Sequence, residues 1–429
     1  MATTDKFVIE GLAGAKKLRG KVQIKGAKNA ALKLFAASIL FQDEINLSNV
    51  PDIEDIHRIS ELLDDFGIKI SNKKDVYNLT TKNIKSKPFD VEIAKRMRSS
   101  IVLTGPMLSR FGKVVFPFPG GCVIGKRPID IFIDGYKKMG ATIKEEDNVF
   151  TVTAKNKQLH GAEIFFKIQS VTATETMMMA ATLAKGTTVL KNCALEPEIV
   201  DLGEFLINGG AKISGLGTPT ITIEGGELLF GSDFTHHIIP DRIDAGSFII
   251  LGALAAKDLT VEDIRPEHLD APLAALKAMG VKMEVGENYV RIKGNEKSKY
   301  QAVDIKTHEY PGFITDLQAP MAVLLTQAHG QSFIFETIYE NRLNYLEAIN
   351  RMGATTKLLD AHRAIIDGPT PLAGKEMESP DLRAGLAYVL AAIVAKGKSV
   401  VHNVYNIDRG YADIDKRLRD LGVKITRIK

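Results

Sequence analysis

Cys122 stands in "PFPGGCVIGKRPIDI", between two glycines and a Lys126-Arg127 pair, and is one of two cysteines in the chain. Nearby cations favour the thiolate, and Gly120, Gly121 and Gly125 permit unusual backbone angles. The thiol therefore reads either as a reagent on a loop or as a small residue that fits a tight one, and the basic glycine-rich setting favours the reagent. Cys193, in "KNCALEPE", lacks such a setting and reads as a packing residue.

Other segments offer charge for an anionic substrate. "IKGAKNAAL" puts Lys28 and Asn29 at a helix entry just after Gly26, where a lysine beside a helix N-terminus suits an anion. "KRMRSSIVLTGPML" sets Arg96 and Arg98 ahead of an apolar helix. Asp316, in "THEYPGFITDLQAPM", precedes another, as a helix cap or as a general base toward a hydroxyl. Arg342 in "YENRLNY", Arg383 in "SPDLRAGLAY" and Arg409 in "NIDRGYADI" occupy links or helix starts, with surface ion pairing as the plainer reading. No phosphate loop, dinucleotide fingerprint or His-rich metal pattern is present.

Composition narrows the classes. The chain has 429 residues, 45% apolar and 25% charged, as expected of a globular protein of two domains. A net charge of +4 with no tryptophan argues against a nucleic-acid binder. "MATTDKFVIEGLAG" lacks the apolar stretch of a signal peptide, and apolar runs such as Ala384 to Ala395 are too short to span a bilayer, so a cytoplasmic protein with no membrane partner is expected. Two cysteines in a reducing compartment are expected to stay free.

The elements that must position these residues come from a repeat. "DFGIKI", "KMGATI", "NGGAKI", "AMGVKM", "RMGATT" and "DLGVKI" recur around Gly67, Gly140, Gly210, Gly280, Gly353 and Gly422, at a period of roughly 70 residues. Apolar residues at helical spacing precede each glycine and β-branched alternation follows it, so the glycine reads as a helix stop before a strand. A second half-unit, such as "AATLAKGTTVLKN" or "LAAIVAKGKSVVHN", reads as an Ala-rich helix and another strand. Helices this apolar must be buried nearly all round, with the sheets outside them. Three units per domain give two similar domains with a seam near residues 236 to 242 and ligand expected in the cleft between them. In the second unit alone the strand-to-helix link is lengthened, by the cysteine segment.

In this order and spacing, "KGAKNAAL", "MRSSI", "PGGCVIGKRPID", "EPEIVD", "PDRIDAGSF", "TDLQAP", "ENR", "DLRAG" and "IDRGYADI" resemble the UDP-N-acetylglucosamine 1-carboxyvinyltransferases, enolpyruvyl transferases of peptidoglycan synthesis in the EPSP synthase superfamily. The resemblance covers nearly the whole chain. It implies an inside-out α/β barrel fold: two domains of three repeats, helices buried and sheets outside, with residues 28–238 in one domain and 1–27 plus 239–429 in the other. It also implies an enzyme that adds the sugar 3′-hydroxyl to C2 of phosphoenolpyruvate and expels phosphate through a tetrahedral intermediate, with no cofactor and no metal.

By matching motif positions, Cys122 resembles the family's proton donor, also implicated in product release, and Asp316 the base near the sugar hydroxyl. Lys28, Arg127 and Arg409 would hold the phosphate of phosphoenolpyruvate, and Arg342 and Arg383 its carboxylate. Asn29 would position both reactants. Arg98, the run Arg127, Pro128, Ile129, Asp130 and Ile131, then Lys167, Ser170, Val171 and Ile338 resemble UDP-sugar contacts. Thr172 replaces a glycine common in the family, and Ile314 a proline. Two rivals make different demands. The sister enzyme acting on shikimate 3-phosphate would not call for the cysteine loop or "KRPID", and a repeat-built polyanion-binding module would not call for one irregular repeat.

Overall fold

The computed structural model describes residues 5–73, 76–118, 129–294 and 299–429, with the side chains of Arg96 and Arg98 excepted. Cys122, Lys126, Arg127 and Pro128 lie outside the described residues. The chain is α/β and divides into two compact units, one running from Gly26 to Ile239 and the other combining residues 5–25 with Pro240–Lys429, the undescribed 119–128 set aside.

Among the described residues each unit carries three sheets. In the first, Thr235–His237, Glu44–Ser48, Val76–Thr80 and Lys69–Lys73 form one; Lys113–Pro117, Val149–Ala154 and Ala141–Glu146 a second; Lys212–Ser214, Thr220–Glu224, Thr187–Lys191 and Glu163–Phe165 a third. In the other unit, Lys6–Glu10 pairs antiparallel with both Lys398–His402 and Lys424–Ile428, and Glu376–Glu378 joins in parallel. Leu18–Gln23 pairs in parallel with Ala256–Glu262 in its second sheet, and Gly330–Phe335 pairs with Ile305–Lys306 and Arg363–Gly368 in its third. Every four-stranded sheet combines three antiparallel strands with one parallel edge strand. In the three-stranded sheet the corresponding edge carries a single bond, from Phe89 N to Val115 O at 3.0 Å.

The six repeat glycines all take positive φ, from 86° at Gly140 to 109° at Gly353, a region a side chain would disfavour. At Gly67 the closing bonds are Gly67 N to Asp64 O at 2.8 Å and Ile68 N to Leu63 O at 2.9 Å, a Schellman stop that turns the helix Glu54–Asp65 into the next strand. A second recurring device is absent from the sequence-based expectation. Asn49, Asn192, Asp263 and Asn403 each directly follow a strand in a short strand-to-helix link, and Asn341 lies in the longer link between Gly330–Phe335 and Leu346–Arg351, all with φ of 58° to 60°, so the cysteine segment's unit is not alone in a lengthened link. Asn and Asp tolerate this conformation better than other side chains.

Two kinds of helix result. Every residue of Arg242–Ala255 and Gln318–Leu325 is buried, as is all of Leu382–Val394 after its first residue. Glu54–Asp65 is amphipathic and buries Ile56, Ile59, Leu62 and Leu63 on one face. Strands such as Thr187–Lys191 and Lys398–His402 alternate buried and accessible residues. Each fully buried Leu, Ile or Phe contributes about 1.5–3 kcal/mol. Met177, Met178 and Met179 are fully buried, as core residues. Among the described residues, no helix is long and apolar enough to cross a membrane.

Candidate active site

Charged residues on these buried helices are the exceptions that need partners. Thr315–Leu317 is a short 3-10 turn leading into Gln318–Leu325, and it carries Asp316. The N-cap positions here are Ile314 and Leu317, so Asp316 stands at neither. Instead Arg342 Nη2 donates to Asp316 Oδ1 at 2.5 Å, and Arg383 Nε and Nη2 each reach Oδ2 at 3.1 Å. The expectation of a helix cap is replaced by a carboxylate clamped between two guanidinium groups.

Each arginine is delivered by its own local device. Arg342 follows the left-handed Asn341, whose link ends the strand Gly330–Phe335. Arg383 is the second residue of Leu382–Val394, a helix capped by Asp381, whose Oδ1 accepts from Arg383 N at 2.7 Å and Ala384 N at 3.0 Å. Tyr339 lies under Arg342 at 5.1 Å and Tyr411 under Arg383 at 5.2 Å, each measured to the ring centroid.

Both guanidinium groups are nearly inaccessible, while the Asp316 side chain keeps 23% of its surface. Burial alone would weaken the Arg342 charge, but Asp316, Tyr339 and Glu336 together outweigh that and its pKa lies above the ordinary arginine value. Burial likewise acts against Arg383, and Tyr411 and Asp316 more than offset it. Among the described residues Arg383 Nη1 finds no hydrogen-bond acceptor. Two fixed planar forks around one carboxylate form an arrangement that suits a substrate carboxylate equally well.

Arg409 closes the short helix Tyr405–Asp408 and is half-buried, two residues before Tyr411. Its neighbour Asp408 pairs with Arg427 at 2.7 Å. Ile338 lies in the link after Gly330–Phe335, its N–H donating to Glu336 Oε1 at 2.9 Å.

In the unit Gly26–Ile239, Lys28 opens the helix Lys28–Ala37 and its Nζ lies 2.6 Å from Asp55 Oδ2, both side chains being buried. Gly26 is required there because a Cβ would come within 1.9 Å of the Asn49 carbonyl oxygen. Asn29 is half-buried beside Lys28. Ser170 caps the helix Val171–Thr182, accepting from Ala173 N at 3.3 Å, so Ser170 and Val171 stand at a helix N-terminus; Lys167 is exposed just before it. Asp130 opens the helix Asp130–Lys138, with Ile129 buried and Ile131 half-buried. Arg98 begins the 3-10 turn Arg98–Leu103.

Of the residues singled out in the sequence, Asp316, Arg342 and Arg383 are therefore in direct contact. Several others escaped that reading. Asp55 is the partner of Lys28, and Lys33 Nζ meets the fully buried Glu175 at 3.2 Å. Burial raises the Glu175 pKa to about 8, against the opposing pull of Lys33. The available signal was a lone charge inside an otherwise apolar helix, Lys33 in "NAALKLFAA" and Glu175 in "VTATETMMMAAT".

Residues 12–418 match the family model described as EPSP synthase (3-phosphoshikimate 1-carboxyvinyltransferase). The chain is 44% identical over 428 residues to the UDP-N-acetylglucosamine 1-carboxyvinyltransferase of Koribacter versatilis, covering 99% of this chain and 96% of that one. It is 43% identical over 426 residues to UDP-N-acetylglucosamine 1-carboxyvinyltransferase 2 of Listeria monocytogenes, covering 99% and 98%. In fold it is similar to the enolpyruvyl transferase NikO from Streptomyces tendae, with a TM-score of 0.88 at 23% identity over 99% of both chains. An EPSP synthase from Acinetobacter baumannii gives a TM-score of 0.73 at 18% identity, covering 99% of this chain and 100% of that one. Near-complete coverage at more than twice the identity of the EPSP synthase structure separates the branches, and the chain belongs to the UDP-N-acetylglucosamine 1-carboxyvinyltransferases of the EPSP synthase family.

Proposed function

We propose that the protein transfers the enolpyruvyl group of phosphoenolpyruvate to the 3′-hydroxyl of UDP-N-acetylglucosamine, releasing phosphate, as the first committed step of peptidoglycan precursor synthesis in the cytoplasm. The observation that carries the reading is the clamp of Arg342 and Arg383 around Asp316, in a chain that aligns end to end with relatives named for this transfer. Each unit is taken to be an inside-out α/β barrel of three repeats, the domains being 28–238 and 1–27 with 239–429.

The hydroxyl oxygen adds to C2 of phosphoenolpyruvate while a proton is delivered to C3, and the tetrahedral adduct then loses a C3 proton and phosphate. Asp316 takes the hydroxyl proton and Cys122 supplies the one at C3. Lys28, Arg127 and Arg409 hold the phosphate, with Asn29 ordering the two reactants. Arg342 and Arg383 bind the carboxylate by charge-assisted pairs. Arg98, Arg127 to Ile131, Lys167, Ser170, Val171 and Ile338 bind the nucleotide sugar. In a phosphate-release assay with phosphoenolpyruvate, turnover is expected with UDP-N-acetylglucosamine and not with shikimate 3-phosphate; the reverse preference overturns the reading.

A further inference from the structure

Glu336 has no role in the reaction as set out above, yet it is a carboxylate with no exposed surface directly after the strand Gly330–Phe335. Such a group is costly unless every lone pair is used, and here both oxygens are engaged. Oε1 accepts from Thr307 Oγ1 at 3.1 Å, Ile338 N at 2.9 Å and Tyr339 N at 3.2 Å. Oε2 accepts from Thr315 Oγ1 at 2.7 Å. Thr315 in turn accepts from Arg342 Nη1 at 2.8 Å, while Arg342 Nη2 goes to Asp316.

The chain of bonds has a direction. A hydroxyl has one proton, and Thr315 gives it to Glu336, which leaves its lone pairs for Arg342. A carboxylate at the far end, able only to accept, fixes that polarity. An amide would present an N–H to Thr315 and leave the hydroxyl proton without this acceptor. The other oxygen of Glu336 holds the backbone of the link that carries Ile338.

We propose that Glu336 is a positioning residue of the transfer reaction: through Thr315 it sets the rotamer of Arg342 for the substrate carboxylate, and through Ile338 N it sets the sugar-nucleotide contact. This rests on the enolpyruvyl reading, in which Arg342 faces phosphoenolpyruvate and Ile338 the UDP-sugar. Thr315 belongs to the Arg342 branch alone, so substitution there separates it from the Ile338 branch. Thr315→Val removes the hydroxyl and leaves the Ile338 and Tyr339 bonds in place.

The test is steady-state phosphate release by the full chain, with a thermal midpoint for each variant. Thr315→Val is expected to raise the KM for phosphoenolpyruvate about tenfold, the loss of one hydrogen bond to a charged group. Its KM for UDP-N-acetylglucosamine should not move, and Thr315→Ser should restore the wild-type value for phosphoenolpyruvate. Glu336→Gln, whose amide oxygen still accepts from Ile338 N while its N–H faces Thr315, should raise the phosphoenolpyruvate constant alone, and Glu336→Ala, which removes both branches, should raise both. Thr315→Ala, smaller than the native side chain, replaces the valine variant if that one fails to fold. An unchanged phosphoenolpyruvate KM in the hydroxyl-free variant, or a serine variant as impaired as the valine one, overturns the relay while the functional reading stands. Absence of turnover by the unmodified chain overturns the reading and the relay with it.

Discussion

Asp316 Oδ1 and Arg342 Nη2 are 2.5 Å apart, and the second oxygen of the same carboxylate is held by Arg383. One carboxylate thus occupies the forks of two buried guanidinium groups, which is the pairing that the proposed mechanism has phosphoenolpyruvate share.

Asp316→Asn keeps the shape and removes the base that the proposed mechanism requires. Its kcat, read by phosphate release, is expected to fall by roughly 10²-fold or more. Asp316→Ala leaves two buried guanidinium groups without this partner. Because Asp316 is partly exposed, the expected loss in urea unfolding is about 2 kcal/mol, below the ~3–5 kcal/mol of a fully buried pair.

Lys28 and Asp55 are buried to a greater degree, with 9% and 5% of their side chains accessible. Asp55→Ala should therefore lower the unfolding free energy by about 3 kcal/mol. Urea titration measures this, and a loss within the ~0–1 kcal/mol of a surface pair would show that the ammonium is solvated.

Glu175 contributes to the pH dependence of stability. Its folded-state pKa of about 8 lies above the ordinary 4.5, so the folded protein retains a proton that the unfolded chain releases. The stabilisation from this group is full below the lower value and is lost as pH rises through the upper one. Glu175→Gln cannot titrate, so its thermal midpoint relative to the native chain should rise steadily between about pH 5 and pH 8. A constant difference across that range would count against the assignment.

The two cysteines should separate chemically. Cys193 is fully buried, and burial pushes its thiol up to about 11, so little thiolate exists at neutral pH. An epoxide phosphonate of the fosfomycin type, given with the UDP-sugar, is expected to alkylate Cys122 and spare Cys193. Peptide mapping by mass spectrometry reads the outcome, and an adduct on Cys193 would contradict it. Cys122→Asp should keep some turnover and lose the sensitivity, since a carboxylic acid also donates a proton.

Local rules made part of this legible. Gly67 and its five counterparts follow helical spacing and precede β-branched alternation, and all six take the positive φ of a helix stop. "AGLAYVLAAIVAKG" has no polar face, and its helix is buried all round. What could not be read was pairing. Lys33 and Glu175 are remote in sequence, and only the packing of their two helices joins them. For Asp316 the cap reading was open because caps are local, whereas its partners lie in another link and in the first turn of another helix. Asn49, Asn192, Asp263, Asn341 and Asn403 were visible as letters, but their common backbone geometry is a property of the links and not of any motif.

The strand Lys6–Glu10 finds its neighbours in Lys398–His402 and Lys424–Ile428, across almost the whole chain. On the ribosome, this first-made strand must wait until the last segments emerge, while Gly26 to Ile239 is already free to close on itself. Phe7 and Ile9, fully buried in the folded protein, lack these partner strands until then. Nascent-chain proteolysis should find the early-made unit protected first, and the window in which an unpaired apolar strand is on offer is where this protein most needs a chaperone's cover.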